Sequence, residues 1–156
     1  MSEKKKILWV EDDYYSLKGL PRQLERNGFK IIPAESYIEG VEVLKEHMED
    51  LSLILLDLII PYSLTESIPP TISEEEYYQN QSTKKTPREL AENGMNLLKY
   101  IKQEIGLTVP VIVLSVVTDK DIIDELKKYG VNRLRKFGIL PNQLKEEVVK
   151  ELSINV

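Results

Sequence analysis

The 156-residue chain has no cysteine and only one histidine, His47. Without cysteine, disulfide scaffolds, thiolate-bound zinc, iron–sulfur clusters and thiol nucleophiles are all excluded. A single histidine also leaves histidine-rich metal sites without ligands. Any metal site in this sequence must therefore be built mainly from oxygen ligands.

Positive charge and long apolar runs are also scarce. The 21 Lys and Arg are outnumbered by 26 Asp and Glu, giving a net charge of −5. Nucleic acid is therefore not expected as a direct partner, because counterion release needs a surplus of basic residues. No run approaches the ~18 apolar residues of a membrane span, and the first residues lack the roughly 7 to 15 apolar residues of a signal-peptide core. We expect a cytoplasmic protein without membrane insertion.

The residues that are present are sufficient for a hydrophobic core. At 42% apolar and 30% charged, the composition is that of a globular chain, and the length suits one domain, residues 1–156. Five short aliphatic runs predict strands, and segments with helical spacing lie between them. The predicted strands are 7–10, 30–33, 53–56, 111–114 and 133–135.

This (βα)₅ alternation predicts an α/β fold. Strands 1, 3 and 4 are almost continuously apolar, which is typical of a parallel sheet covered by helices on both faces. We therefore expect an open, doubly wound sheet in the order 2-1-3-4-5. Residues 62–93 interrupt the alternation of strands and helices. They are polar and too long for an ordinary βα loop of about 2 to 6 residues. They are interpreted as an insertion between strand 3 and helix 3, in which residues 62–85 are solvated and mobile and a helix starts near Thr86.

Polar residues follow four of the five predicted strands. Glu11 and Asp12 end strand 1, Asp57 ends strand 3, Ser115 ends strand 4 and Lys136 ends strand 5. In an open α/β sheet, ligands bind at the carboxyl ends of strands where the strand order reverses, here between strands 1 and 3. Each of these residues alone is more often a helix cap, a turn residue or a surface charge. Their occurrence at one edge favours a shared site.

The carboxylates at this edge predict a cation. Asp12 and Asp57 at close range raise one another's pKa unless a cation intervenes. Oxygen ligands favour Mg²⁺, and Lys136 can supply an ammonium group. With its charge balanced, Asp57 can attack a phosphoryl group as a carboxylate nucleophile, while Ser115 and Lys136 hold the phosphoryl oxygens.

Four segments carry a family resemblance: ILWVEDD, LILLDLIIP, PVIVLS and RLRK. In this order they resemble the signature segments of the response regulator receiver domain of two-component phosphorelays, across essentially the whole chain except residues 62–93. The resemblance implies a flavodoxin-like fold and a stand-alone receiver.

The resemblance also implies roles for individual residues. Asp57 matches the phosphoacceptor, Ser115 the hydroxyl that senses the phosphoryl group, and Lys136 the family's lysine. Asp12 matches a direct Mg²⁺ ligand, with Asp57 as a second. Glu11 acts through water, and Ile59 offers its backbone carbonyl.

The same resemblance implies partners. The phosphoryl donor is a sensor histidine kinase or a phosphotransfer protein, and the output is contact with an unidentified downstream protein. A homodimer is left open. The chain is not expected to be an enzyme acting on a separate substrate, but a self-phosphoacceptor that loses its own phosphoryl group.

Three residues depart from the family pattern. Val116 follows the hydroxyl where a small residue is usual, Phe137 follows the lysine where proline is usual, and Arg133 stands where an aromatic is usual. The resemblance therefore covers the phosphorylation chemistry but not the usual readout through helix 4, strand 5 and helix 5.

The sequence also bears on three other functions. An aspartate-based phosphohydrolase uses a second Asp two residues after the first as its general acid, but this chain has Ile59 there. A flavodoxin-type cofactor binder needs a phosphate-binding loop after strand 1, where this chain has three carboxylates. The serious alternative is a receiver-shaped interaction module that works without phosphorylation.

Overall fold

The computed structural model describes residues 4–17, 19–64 and 86–154. Five parallel strands form one sheet in the order β2-β1-β3-β4-β5, which confirms the predicted topology. The strands are β1 (Lys5–Val10), β2 (Phe29–Ala34), β3 (Leu51–Leu56), β4 (Val111–Ser115) and β5 (Asn132–Arg135).

Helices cover both faces of this sheet. The main ones are α1 (Gly19–Arg26), α2 (Tyr37–His47), α3 (Glu92–Lys99), α4 (Lys120–Lys128) and α5 (Pro141–Ile154). A 3₁₀ turn at Tyr14–Ser16 precedes α1, a one-turn helix at Pro87–Leu90 precedes α3, and a π-helical turn at Tyr100–Glu104 follows α3.

The two faces of the sheet have separate hydrophobic cores. In β1, Ile7 and Trp9 pack towards α1 and α5, whereas Leu8 and Val10 pack towards α2, α3 and α4. Because successive side chains of a strand point to opposite faces, a strand buried on both faces is apolar at every position. This accounts for the continuous apolar runs in the sequence.

Helix α1 begins at Gly19, although the helical spacing of leucines already starts at Leu17 and continues to Leu20 and Leu24. Pro21 lies in its first turn, where the missing N–H has no intrahelical partner to lose. The helix ends before Gly28, whose φ of +89° is a backbone conformation that glycine adopts without strain. Pro21 and Gly28 therefore mark the two ends of this helix.

The segment predicted as an insertion enters and leaves the fold at defined points. The chain after β3 is bonded to the start of α2, since Tyr37 N–H donates to the Pro61 carbonyl at 2.9 Å and Ile38 N–H to the Tyr62 carbonyl at 3.0 Å. The prediction that residues 62–85 are solvated and mobile falls largely on residues 65–85, which lie outside the described residues. The predicted helix start at Thr86 is confirmed.

Thr86 and Glu89 form a reciprocal capping box. Glu89 N–H donates to Thr86 Oγ1 at 3.1 Å, and Thr86 N–H donates to Glu89 Oε1 at 3.3 Å, with Pro87 at the first helical position. Each bond satisfies a backbone donor that the helix itself leaves without a partner. The short helix is therefore specified locally by its own sequence.

Replacing Thr86 with alanine is expected to lower the free energy of unfolding by about 1 kcal/mol, because the helix loses its N-cap acceptor. Urea denaturation monitored by circular dichroism measures this change. Thr108→Ala is the matched control, since Thr108 is exposed and outside every helix. Equal stability of the two variants would contradict a stabilising role for the capping box.

Across the described residues, we find no helix that combines the length and the apolar character needed to cross a membrane.

Candidate functional site

The carboxyl ends of the strands bring the predicted site residues to one edge of the sheet. Two backbone bonds continue the ladder past the strands: Glu11 N–H donates to the Ala34 carbonyl at 2.8 Å, and Asp57 N–H to the Val10 carbonyl at 2.9 Å. These bonds fix the backbones of Glu11 and Asp57 at neighbouring positions on the same edge.

Three carboxylates meet at this edge. One oxygen from each of Glu11, Asp12 and Asp57 lies within 4.8 Å of the others. Glu11 and Asp57 are each only 1% exposed. Carboxylates this close and this buried repel one another and lose hydration, so the cluster requires compensating positive charge. Its all-oxygen donor set suits a hard divalent cation.

Lys136 provides part of that charge. Its ammonium group donates to Asp57 Oδ2 at 3.1 Å and forms an ion pair with Glu11. Lys136 is itself buried, and its backbone N–H donates to the Ser115 carbonyl at 3.2 Å. Among the described residues, one buried cation therefore faces three carboxylates, so these four groups together are net negative when all are ionised.

The excess of negative charge is reflected in the raised pKa of Asp12. Burial, together with the nearby charge of Asp57, raises the pKa of Asp12 from 3.8 to about 6, against the opposing effects of Glu11 and Lys136. Within the described part of the chain, no group donates a hydrogen bond to the buried Oδ1 atom of Asp12. A buried carboxylate oxygen without a donor is what a bound cation satisfies.

Asp57 is held by its own loop. Its Oδ1 accepts a hydrogen bond from Ile59 N–H at 3.2 Å, while Oδ2 faces Lys136. The loop is in turn fixed by α3, where Gly94 N–H donates to the Leu58 carbonyl at 3.2 Å. The Asn93 side chain donates to the Ile60 carbonyl at 3.1 Å. The first turn of α3 therefore positions the loop that carries Asp57.

Ser115 ends β4 and is fully buried. Its Oγ accepts a hydrogen bond from Val117 N–H at 3.3 Å. A serine oxygen that accepts one hydrogen bond still has its own proton to donate. Ser115 is tied to the site through the backbone bond from Lys136.

Two further residues shape this edge and were not predicted from the sequence. Gly94 allows α3 to approach Leu58, and its signal was a glycine inside an amphipathic helix. Arg133 donates from β5 to the Val117 carbonyl in the loop after β4. The sequence marked Arg133 as unusual, but its partner is a backbone carbonyl that no sequence pattern identifies.

A scan of protein-family models and a search of curated proteins found no match for this chain. Solved structures do match. The signal receiver domain of a Vibrio parahaemolyticus protein aligns with a TM-score of 0.69 at 18% identity, covering 97% of this chain and 92% of that one.

Two other structures agree. A response regulator receiver domain protein from Clostridium thermocellum has a TM-score of 0.67 at 22% identity, covering 97% of this chain and 96% of its own. A Francisella response regulator receiver domain has a TM-score of 0.68 at 19% identity, with 98% and 100% covered. Likeness at these identities is a likeness of fold. This chain has the fold of the response regulator receiver domains.

Proposed function

We propose that this chain is a phosphoacceptor response regulator, in which Asp57 takes a phosphoryl group from a phosphohistidine. The donor is a histidine kinase or a phosphotransfer protein. The observation that carries the proposal is the buried cluster of Glu11, Asp12 and Asp57 with Lys136 at 3.1 Å from Asp57. A receiver-type fold places such a cluster where ligands of open α/β sheets bind.

In the proposed reaction, a carboxylate oxygen of Asp57 attacks the phosphorus atom. The new O–P bond forms as the P–N bond of the donor breaks, and the imidazole nitrogen leaves with the electron pair. Lys136 offsets the charge of the nucleophile and of the phosphoryl oxygens, and the Ser115 hydroxyl donates to one of those oxygens. Hydrolysis of the resulting acyl phosphate returns the carboxylate.

The residues present fit a magnesium ion. Asp12 and Asp57 would supply carboxylate oxygens, Glu11 would act through water and Ile59 would offer its backbone carbonyl. The Asp12 oxygen that accepts no hydrogen bond within the described residues supports this assignment. When bound, Mg²⁺ supplies positive charge that stabilises the phosphoryl oxygens during transfer.

Burial sets a condition on the reaction. Because Asp57 is 1% exposed, a phosphoryl donor reaches its oxygen only after neighbouring side chains move apart. Lys136 currently binds both Asp57 and Glu11, so its movement is one way to expose the nucleophile. We infer that opening of this ion-pair cluster precedes transfer.

The alternative, an interaction module that works without phosphorylation, gives no reason for this cluster. Burying three like charges costs stability, and replacing buried charges by apolar residues of similar size is often neutral or stabilising. A protein that never binds a cation or phosphate gains nothing from them. The buried carboxylates therefore favour the phosphoacceptor.

Asp12→Asn is expected to stabilise the chain in the absence of divalent cations. Because the pKa of Asp12 is raised from 3.8 to about 6, ionisation of this group lowers the stability of the folded state by an amount that grows from about pH 3.8 and is complete above about pH 6. We expect the variant to gain about 1 to 3 kcal/mol near pH 7, with the gain shrinking as the pH falls below about 6 because wild-type Asp12 then becomes protonated. Thermal and urea unfolding in a chelator measure this gain.

The same variant tests the cation. Mg²⁺ is expected to raise the melting temperature of the wild type, since a ligand that binds only the folded state stabilises it, and to have little effect on Asp12→Asn. Asp13→Asn is the matched control, because Asp13 is adjacent in sequence but exposed. An equal Mg²⁺ effect on wild type and Asp12→Asn would contradict the assigned ligand.

A further inference from the structure

Side chains bind the loop after β4 at the backbone of one residue, Val117. Its N–H donates to Ser115 Oγ at 3.3 Å, and its carbonyl accepts a hydrogen bond from the Arg133 guanidinium on β5. Val117 and Ser115 are both buried. The peptide units on either side of Val117 are therefore tied to two different side chains.

Arg133 reaches this carbonyl because of strand geometry. On β5, Leu134 packs into the core with α1 and α5, so Arg133 points to the opposite face, where α4 lies. Arg133 is half-buried, and burial, followed by repulsion from Arg135, lowers its pKa. Partial burial beside Arg135 destabilises the charged guanidinium. Its hydrogen bond to the Val117 carbonyl offsets part of this destabilisation.

The geometry points to Arg133 as a positioning residue for the Ser115 hydroxyl. Arg133 fixes the backbone of Val117, whose N–H donates a hydrogen bond to Ser115 Oγ. This bond in turn sets the direction in which the serine hydroxyl donates its own proton. The inference rests on the proposed function, since the acceptor of that proton is a phosphoryl oxygen on Asp57. Without Arg133, the loop after β4 is held less firmly before the anion binds, and the Ser115 hydroxyl is free to rotate away from the donating orientation.

A general electrostatic effect is the competing explanation. Arg133 is a cation near a site that takes an anion, so its removal could weaken binding through charge alone. Arg135 separates the two effects. It is a cation two residues along the same strand and on the same face, but it is exposed.

The experiment is a calorimetric titration with beryllium trifluoride, an anion that mimics a phosphoryl group, at saturating Mg²⁺. Arg133→Met keeps the apolar stem and removes the donors. We expect it to weaken binding about three- to tenfold, the cost of ordering roughly one side chain. Arg133→Lys, which retains one donor, should fall between, and Arg135→Met should change binding less than about twofold.

A double-mutant cycle tests whether Arg133 acts through Ser115. In the Ser115→Ala background, Arg133→Met is expected to cause no further loss. Independent losses from the two substitutions, or equal losses from Arg133→Met and Arg135→Met, would overturn the positioning role. Melting curves confirm folding of each variant, and Arg133→Lys provides the comparison if Arg133→Met does not fold.

The wild-type titration distinguishes the two proposals. If the wild type does not bind the anion with Mg²⁺, the proposed function fails and the role of Arg133 fails with it. If the wild type binds but the cycle shows no coupling, only the role of Arg133 is overturned.

Discussion

Asp57→Asn is expected to abolish phosphorylation of this chain by acetyl phosphate in the presence of Mg²⁺. Asparagine keeps the shape of the side chain but removes the anionic oxygen that attacks phosphorus. The ion pair between Lys136 and Glu11 remains available in the variant, so the fold should persist. Intact mass spectrometry measures the added phosphoryl group directly, with the wild type gaining one.

Asp13→Asn is the control for this experiment, since it removes a carboxylate from the exposed side of the same edge. It should be labelled at close to the wild-type rate. Wild-type labelling of Asp57→Asn would show that another residue accepts the phosphoryl group. Labelling that is unchanged by a chelator would contradict the need for a divalent cation.

Gly94→Ala is expected to have the largest effect on stability, a loss of about 3 kcal/mol. A Cβ at Gly94 would overlap the backbone of Leu58, including its Cα and carbonyl atoms. Backbone cannot move aside as a flexible side chain can, so α3 or the loop after β3 must shift. Because Leu58 directly follows Asp57, we also expect slower phosphorylation. Urea denaturation and the labelling rate measure the two effects.

Gly40→Ala is the matched control, a second glycine within a helix. A Cβ there would lie 2.9 Å from Leu97 Cδ2, the far end of a side chain that can rotate away. Alanine also favours a helix over glycine by about 1 kcal/mol, so this variant should stay within about 1 kcal/mol of the wild type. Equal stability of the two variants would contradict the close approach of α3 to Leu58.

The topology was predictable because its determinants are local. Apolar runs such as those of β1 and β3, separated by amphipathic segments, determine a parallel sheet with helices on both faces. The helix start at Thr86 was also predictable, because capping and proline effects depend on neighbouring residues. The residues that meet at the sheet edge followed from topology, since parallel strands end at the same edge.

Long-range side-chain contacts were not predictable in the same way. The sequence indicated that Lys136 approaches Asp57, but not that it also pairs with Glu11, because the choice of partner depends on exact side-chain positions. The contact of Gly94 with Leu58 and the bond from Arg133 to Val117 both involve backbone atoms. Any residue type presents the same backbone atoms, so the sequence of the partner carries no signal.

The most direct test of the central claim is to locate the phosphoryl group. The chain is incubated with acetyl phosphate and Mg²⁺ and treated with borohydride, which reduces an aspartyl phosphate to homoserine with release of phosphate. Peptide mass spectrometry then identifies the converted residue. The proposed function predicts homoserine at position 57 alone, and conversion at another residue, or at none, would contradict it.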